Sequence, residues 1–306
     1  MSAQSYFADW IAVDWGNSCQ RAWAIGEDGQ IRAEVQRAST SRDILPGAWE
    51  AALRGLIGDW LGIGQTPVLA CGMIGGRGAI FEVPYRSVPA NPADLRPVPV
   101  TGLSDQRLAL SIMPGLCQCS PADVMRGEET QLLGFFSQQP DFDGVVCLPG
   151  THTKWVQISA AEVVSFQTAM TGEMFALLAA QSCLSSWVTT DEIDLAAFDD
   201  SVADLLADPR RLSQRLFAIR ADALLNGVAA PVGRGRLSGA LIGAELAATR
   251  SYWLGQAVAV IGGHALSALY LRALAGQGMT AQYFAGDTLT LAGLAQIRAK
   301  LVGKAI

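Results

Sequence analysis

The chain has 306 residues, of which 50% are hydrophobic and 16% are charged, and this composition argues against a disordered protein. Its length predicts two lobes, because a single hydrophobic core stops growing below this size. The formal net charge of -6 argues against nucleic acid as the main partner, since such binding needs a clustered basic surface. A local cluster of arginine and lysine can still bind a small anionic substrate.

The sequence shows no sign of a membrane partner, because no stretch approaches about 18 uninterrupted apolar residues. The first ten residues, MSAQSYFADW, lack the basic region and apolar core of a signal peptide. The six cysteines lack the spacing of a zinc site, and only two histidines are present. These features predict reduced thiols in a cytoplasmic protein. A homo-oligomer is left open.

The first half of the chain begins with short strands joined by tight turns. Apolar runs bounded by Gly, Pro and Asp predict its elements. They are strands at 10–15, 21–25 and 31–35, a helix from 46 to about 61, a buried strand at 67–73 that ends in a glycine-rich loop, a strand at 108–113, and a helix from about 126 to 137.

The opening pattern returns about 130 residues later. The predicted elements are strands at 144–148, 154–158 and 163–167, a helical region at 172–254 with an unusually apolar helix at 237–252, a strand at 257–261, a helix from 265, a strand at 281–284 and a final helix to about 300. The repeated three-strand start predicts a duplicated α/β architecture, with an N-terminal lobe at 1–137 and a C-terminal lobe at 138–306. An alternative for the final helix, about 286–306, is that it packs back on the N-terminal lobe.

The segment Asp14-Trp15-Gly16-Asn17-Ser18 lies where the first predicted strand turns into the second. Its backbone N–H groups can point at phosphate oxygens, and glycine lets the backbone come close. The Asp14 carboxylate can hold Mg²⁺, usually through water. Aspartate and asparagine also form ordinary hairpin turns, and taken alone the segment favours that interpretation.

A second glycine turn, Pro149-Gly150-Thr151-His152-Thr153, occupies the same place in the second half. Two such turns facing each other across a cleft would clamp one polyphosphate from both sides. The pair therefore favours phosphate binding. The alternative is a second plain hairpin with solvated polar side chains.

A third glycine element, Gly262-Gly263, lies between a predicted strand and a predicted helix. It leaves room for a flat ring near a positive helix end. A tight strand-to-helix connection is the alternative.

Two carboxylates, Glu128 and Glu129, open the helix that precedes the second turn. A sugar kinase needs one carboxylate that orients the attacking hydroxyl and accepts its proton. Acidic residues at a helix start also complement the helix dipole, which is the structural alternative.

Six longer segments occur together in the order typical of one family. They are AVDWGNS from residue 12, CGMIG from 71, VMRGEETQLLG from 124, PGTHTKWV from 149, LSGALIGAE from 237 and AGD from 285. Taken together they resemble the 2-dehydro-3-deoxygalactonokinase family, over about residues 10 to 300. The resemblance implies a two-lobed actin-like ATPase fold of the ribonuclease H-like type, with duplicated βββαβαβα halves. It also implies that ATP and Mg²⁺ are used to phosphorylate 2-dehydro-3-deoxygalactonate at its 6-hydroxyl, in galactonate breakdown.

The resemblance carries roles onto three groups of residues. They are the first phosphate turn (Asp14, Gly16, Asn17, Ser18), the second phosphate turn (Gly150, Thr151, Thr153) and the adenosine site (Gly262, Gly263). The more distant FGGY-type kinases place their base in a G-D-Q-x motif, and residues 127–130 are similar to it. Glu128 is predicted as the base, with Glu129 as the alternative.

The carboxylate of a sugar acid needs cationic partners, and bidentate arginine suits it. The candidates are Arg21, Arg77, Arg126 and Lys154, with His152 as a further substrate contact. Arg21 and Arg126 lie within the family-like segments, and Arg77 lies in a glycine loop after a strand. Lys154 could instead contact ATP phosphates, and His152 could merely cap its turn.

Three other functions stay open at this point. The first is a kinase for a related acid such as 2-keto-3-deoxygluconate, because sequence does not separate epimers that differ at one hydroxyl. The second is a non-catalytic ATP-binding regulator of the actin fold. The third is a simple hydrolase.

Overall fold

A computed structural model describes residues 7–38 and 44–303 of the chain. The chain divides into two compact units. Unit 1 comprises the described residues of Met1–Phe142, Ser159–Ser165 and Gly286–Ile306, and unit 2 comprises Asp143–Ile158 and Phe166–Ala285. The sequence predicted a boundary after residue 137, whereas the units divide after residue 142, and 286–306 groups with unit 1.

The largest sheet has the strand order β3-β2-β1-β4-β7-β6. Its strands are β1 (Trp10–Trp15), β2 (Cys19–Ile25), β3 (Ile31–Ala38), β4 (Thr66–Gly72), β6 (Val98–Pro99) and β7 (Leu108–Ile112). A smaller sheet, in the order β5-β8-β9, contains β5 (Arg86–Ser87), β8 (Leu116–Cys119) and β9 (Ala122–Met125). In the largest sheet β1 pairs antiparallel with β2 and parallel with β4.

The second large sheet has the order β12-β11-β10-β13-β14. Its strands are β10 (Gly144–Leu148), β11 (Thr153–Ser159), β12 (Glu162–Ala169), β13 (Val258–Gly262) and β14 (Ala281–Ala285). Strand β10 pairs antiparallel with β11 and parallel with β13. The core beside this sheet contains fully buried Trp155, Phe198 and Tyr270.

The α-helices of the described residues are α1 (Trp49–Ile57), α2 (Glu128–Gln138), α3 (Thr171–Gln181), α4 (Leu195–Ala207), α5 (Leu212–Asn226), α6 (Ala230–Ala248), α7 (Arg250–Trp253), α8 (His264–Ala275) and α9 (Gly286–Leu301). None of the described helices is long and apolar enough to cross a membrane. In unit 1, glycine lets α2 and α9 approach closely. A Cβ on Gly134 would lie 2.0 Å from the Leu289 carbonyl oxygen, and one on Gly293 would lie 2.2 Å from that of Thr130.

The predicted fold class is confirmed. In each large sheet the first three strands in the chain form an antiparallel meander. The first of them also pairs in parallel with a later strand, which pairs in parallel with another, and this is the ribonuclease H-like order. The helices between the strands do not repeat: β4 and β7 are separated by short 3₁₀ turns and strands, whereas α3 to α7 lie between β12 and β13. The duplicated helical series therefore stays a prediction.

Two local predictions were wrong. The apolar helix predicted at 237–252 is part of a longer helix, α6, that ends at Ala248 before the short helix α7. The Thr249 hydroxyl donates to the Glu245 carbonyl oxygen at 2.9 Å and satisfies the helix end. The hairpin of β8 and β9 was missed, because strands this short with Pro121 between them carry little apolar alternation.

Candidate active site

Asp14 is held at the carboxyl end of β1 by the sheet itself. Its strand neighbour β4 runs parallel, so Trp15 lies beside Gly72 at the same sheet edge. Arg21 is opposite Asp14 on β2, and its Nη1 donates to Asp14 Oδ2 at 3.3 Å. Burial raises the pKa of Asp14 to about 6, although the Arg21 charge opposes the shift.

The turn after β1 is a tight hairpin. The Gly16 N–H donates to the Cys19 carbonyl oxygen at 2.9 Å, and a Cβ on Gly16 would lie 2.8 Å from that oxygen. Glycine is therefore required by the turn itself. Asn17 is half-buried and Ser18 is exposed, so both predicted phosphate contacts are at the surface of unit 1.

Helix α2 begins against the end of β4. Gly127 has a φ of 109°, and a Cβ there would lie 3.4 Å from the Gly72 Cα, so the helix start approaches the sheet edge through two glycines. The charges of Glu128 and Asp287 both act on the Asp14 carboxyl. Unit 1 thus brings together Asp14, Arg21, Glu128 and Glu129.

The two glutamates of α2 differ in their surroundings. Glu129 is wholly buried, its Oε2 accepts from the Gly127 N–H at 2.7 Å, and its Oε1 accepts from the Thr130 hydroxyl at 2.9 Å. Burial and the neighbouring charge of Glu128 raise the pKa of Glu129 to about 8. Glu128 is only half-buried, and its Oε2 accepts from the Arg126 N–H at 2.9 Å. Glu128 is therefore the more accessible of the two carboxylates.

The guanidinium of Arg126 is fixed on two sides. Its Nη2 donates to the Val83 carbonyl oxygen at 2.7 Å, and its Cζ lies 4.2 Å from the centre of the Tyr85 ring. Its Nε and Nη1 are buried and have no hydrogen-bond partner among the described residues. Two unsatisfied donors on an oriented guanidinium suit an anionic partner such as a carboxylate.

Arg77, another predicted substrate contact, is in a different situation. Its side chain is 92% exposed, and its Nε is 3.6 Å from Glu82 Oε1 on the surface. Of the predicted arginines in unit 1, the structure therefore brings Arg21 and Arg126 into the site and leaves Arg77 at the surface.

In unit 2, helix α3 supports the second glycine turn. The Glu173 N–H donates to the Thr151 carbonyl oxygen at 2.9 Å, and His152 Nε2 is 2.6 Å from Glu173 Oε2. A Cβ on Gly172 would lie 2.2 Å from the Gly150 carbonyl oxygen, so the helix start packs directly on the turn. A Cβ on Gly150 itself would meet no atom within 4 Å, so open space lies beside this glycine.

Two residues predicted to contact ligands are buried instead. Thr153 is fully buried and its hydroxyl is 2.9 Å from the Tyr270 hydroxyl. Lys154 is only 4% exposed. They are the first two residues of β11, so their side chains lie on opposite faces of the strand, and both faces are buried there. The Thr153 hydroxyl therefore bonds within unit 2 rather than facing solvent.

The Gly262-Gly263 connection lies beside the second turn. Strands β10 and β13 are parallel neighbours, so their carboxyl ends share one edge, and a Cβ on Gly262 would lie 3.2 Å from the Pro149 carbonyl oxygen. A Cβ on Gly263 would meet nothing within 4 Å. We call residues 149–153 together with Gly262 and Gly263 the glycine edge. At Gly150 and Gly263 no packing contact requires glycine, which leaves the space to a ligand.

No group of three or more His, Cys, Asp or Glu side chains suited to a metal occurs within residues 7–38 and 44–303. A single carboxylate is compatible with Mg²⁺, which keeps several waters and is commonly held by one or two carboxylates plus substrate phosphates. Asp14 is the carboxylate in unit 1 that fits this part.

Sequence reasoning missed two neighbours of Asp14. Asp287, at the start of α9, adds a charge that acts on Asp14, and the AGD segment was the signal that could have found it. Cys71 Sγ is 3.9 Å from Asp14 Oδ1, and burial raises the pKa of this thiol well above its usual value. This contact results from the pairing of β1 with β4, which the sequence alone does not reveal.

An α/β protein with this strand order, a carboxylate pair at a helix start and a glycine edge with open space has the features of a small-molecule kinase. Residues 14–297 match the model of the 2-keto-3-deoxy-galactonokinase family. The chain therefore belongs to this family of sugar-acid kinases, and the resemblance seen in the sequence is confirmed.

Individual relatives agree with this assignment. The chain is 37% identical to a probable 2-dehydro-3-deoxygalactonokinase of Rhizobium meliloti, over 96% of this chain and 97% of that protein. It is 35% identical to the 2-dehydro-3-deoxygalactonokinase of Escherichia coli, over 95% of this chain and 97% of that protein. The crystal structure of a proposed 2-dehydro-3-deoxygalactonokinase from Sinorhizobium meliloti has a TM-score of 0.85 and 36% identity, over 95% of this chain and 99% of that one.

Proposed function

We propose that this protein transfers the γ-phosphoryl group of ATP to the 6-hydroxyl of 2-dehydro-3-deoxygalactonate. Family membership supports the substrate class. One observation of the structure carries the chemistry: Glu128 is an accessible carboxylate whose position is fixed by the Arg126 N–H, and its charge acts on Asp14. A base and a phosphate-side carboxylate are the groups that such a transfer needs.

Glu128 acts as the base. Its carboxylate orients the 6-hydroxyl and accepts its proton while that oxygen forms a bond to the γ-phosphorus. The bond from the γ-phosphorus to the β,γ-bridging oxygen breaks, and ADP leaves with the electron pair. Glu129 does not compete for this role, because both of its oxygens accept hydrogen bonds in the interior.

Asp14 serves the phosphate side of the reaction. When bound with ATP, Mg²⁺ neutralises charge on the phosphates, and Asp14 would hold it through water. Asn17 and Ser18 offer turn N–H groups to the phosphates, and Gly16, whose N–H closes the hairpin on Cys19, keeps the turn tight. At neutral pH the Asp14 carboxyl is mainly ionised despite its raised pKa of about 6.

The glycine edge of unit 2 binds the nucleotide. Gly150 and Thr151 contribute to phosphate binding, and Gly262 and Gly263 lie beside the adenosine. The open space at Gly150 and Gly263 supports this role. The His152–Glu173 contact and the packing of Gly172 hold the turn in its shape.

Arg126 binds the substrate carboxylate. Its Nε and Nη1 are the unsatisfied donors of an arginine that Val83 and Tyr85 already orient. Such a pre-oriented cation distinguishes a sugar acid from a neutral sugar. Arg21 is engaged with Asp14 and tunes that carboxylate instead.

We place the reaction in the cytoplasm, where ATP is available. All six cysteines are free thiols, which fits a reducing compartment.

A substrate panel tests the proposal. ADP release is measured by a coupled assay with 2-dehydro-3-deoxygalactonate, 2-keto-3-deoxygluconate, a neutral hexose and no acceptor. The expected result is the highest kcat/KM with the galactonate epimer. Preference for the gluconate epimer would make the protein a kinase of that acid, and acceptor-independent ADP release would make it a hydrolase. ATP binding without turnover on any acid would indicate a regulator.

A further inference from the structure

A buried carboxyl group lies beneath the glycine edge and has no part in the reaction as described. Glu245, on α6, is 5% exposed. Its Oε1 accepts from the Trp155 indole N–H at 2.7 Å, and its Oε2 accepts from the Tyr270 hydroxyl at 2.8 Å. The Thr171 hydroxyl also donates to Oε2. Because the Tyr270 proton is directed at Glu245, the Thr153 hydroxyl donates to the Tyr270 oxygen at 2.9 Å.

The donors come from the segments that frame the glycine edge. Thr153 is the last residue of the turn. Thr171 is the first residue of α3, and the next residue, Gly172, packs on the Gly150 carbonyl oxygen. Tyr270 lies on α8, which begins directly after Gly263. One carboxyl group therefore connects the phosphate turn with the two helices beside it, from the inside of unit 2.

Stability alone is a poor explanation for this arrangement. Burying a carboxyl group costs free energy, and an apolar core of the same volume is often as stable or more so. The pKa of Glu245 is raised by burial, and the three donors only partly offset this. A fully bonded buried network does fix the relative positions of the elements it joins. Fixed spacing is what a phosphate-binding turn needs.

We propose that Glu245 is a positioning residue for nucleotide binding: through Trp155, Thr171 and the Tyr270–Thr153 pair, it sets the distance between the phosphate turn, α3 and α8. This inference rests on the proposed function of the glycine edge as the ATP site. Glu245 and Tyr270 are buried, so neither touches the nucleotide. Loss of the network weakens ATP binding and leaves binding of the sugar acid unchanged.

Two tryptophans of unit 2 provide a matched pair of variants. Trp155 and Trp253 are both at most 1% exposed, and each donates one indole hydrogen bond, to Glu245 Oε1 at 2.7 Å and to the Leu246 carbonyl oxygen at 3.0 Å. Trp155→Phe and Trp253→Phe therefore remove similar volume and one buried hydrogen bond each. Only the first affects the network.

The experiment measures the Kd for ATP by calorimetry, the KM for each substrate, and Tm. Both variants are expected to lower Tm, whereas only Trp155→Phe raises the Kd and KM for ATP, by about fivefold. Tyr270→Phe raises them similarly. Thr171→Ser keeps wild-type affinity for ATP and Thr171→Val loses it. Unchanged affinity for ATP in Trp155→Phe and Tyr270→Phe, or equal losses in the two tryptophan variants, would overturn the proposal.

Two further results separate this inference from the proposed function. If wild-type protein binds ATP, the tryptophan variants differ as expected and no sugar acid is phosphorylated, the proposed function fails and the role of Glu245 stands. If wild-type protein phosphorylates the acid and the variants do not differ, only the role of Glu245 fails. A wild-type protein that binds no nucleotide overturns both.

Discussion

The two large sheets share a strand order, yet the residues at their carboxyl edges differ in kind. The edge in unit 1 has carboxyl groups with raised pKa values, Asp14 and Glu129, beside the half-buried Glu128. The edge in unit 2 has Gly150 and Gly263, with open space beside both. Under the proposed function, the same strand arrangement serves proton transfer in unit 1 and nucleotide binding in unit 2.

The two units also differ in where their buried carboxyl groups lie relative to the sheet edge. In unit 1 the ionisable groups belong to the edge itself, so their titration affects chemistry. In unit 2 the buried carboxyl group, Glu245, is bonded to three donors beneath the edge and is inaccessible. Removing the accessible charge of Glu128 in unit 1 should therefore change turnover, and substitutions at the glycine edge or its network in unit 2 should change affinity for ATP.

The largest effect is expected for Glu128→Gln. Removing the base should lower kcat by about 1,000-fold, with Tm and the Kd for ATP unchanged. Steady-state kinetics measures kcat, and calorimetry measures Tm and the Kd for ATP. Glu129→Gln is the matched variant one residue along the same helix, and it should keep most of its turnover. If Glu129→Gln is folded and inactive while Glu128→Gln is near wild type, the assignment of the base is wrong by one residue.

Glu129 should also make stability depend on pH. Its pKa rises from 4.5 when unfolded to about 8 when folded, so the folded protein binds the extra proton between these values. Stability should therefore fall as pH rises through this window, by on the order of 3 kcal/mol. Urea unfolding at pH 5 and pH 8 measures the fall, and Glu129→Gln should reduce it.

Asp105→Asn is the control for this experiment. Hydrogen bonds from Arg107 lower the pKa of Asp105 to about 2, so its contribution is lost only at pH values below the window. The difference in stability between pH 5 and pH 8 should stay as in the wild type. A Glu129→Gln protein with an unaltered difference would contradict the burial argument.

Arg126→Ala should raise the KM for the sugar acid by about 100-fold, because the substrate carboxylate loses a charge-assisted hydrogen-bond partner. The KM for ATP should not change. Arg77→Ala, at a 92% exposed side chain, should behave as wild type. A large effect at Arg77 with none at Arg126 would show that the substrate carboxylate does not bind at Arg126.

A smaller effect is expected at the glycine edge. Gly150→Ala and Gly263→Ala place a methyl group in open space, so Tm should stay unchanged while the KM for ATP rises about tenfold. Gly172→Ala places its Cβ 2.2 Å from the Gly150 carbonyl oxygen and should destabilise the fold instead. Wild-type affinity for ATP in both edge variants would show that the space is not used by the nucleotide.

The sequence was sufficient for most strands of the two large sheets and for the position of the carboxylates at the start of α2. Apolar runs ending in Asp14, Gly72 and Gly150 predicted the strands of both sheets, because strand ends and turn residues are local signals. The position of Glu128 and Glu129 at a helix start was also a local signal.

Other features depended on contacts between distant segments. Nothing local distinguishes exposed Arg77 from oriented Arg126, because the difference lies in Val83 and Tyr85. Thr153 looked like a phosphate contact, yet its hydroxyl bonds Tyr270, 117 residues away. In the sequence, Glu245 is a single acidic residue in an apolar helix, and only the fold brings its three donors together.

The most direct test of the central claim is phosphorus NMR of the product formed from ATP and 2-dehydro-3-deoxygalactonate. We expect one equivalent of ADP and one of the acid phosphorylated at its 6-hydroxyl, with formation slowed by about 1,000-fold in Glu128→Gln. Phosphate on another hydroxyl, or inorganic phosphate in place of the phosphorylated acid, would contradict it.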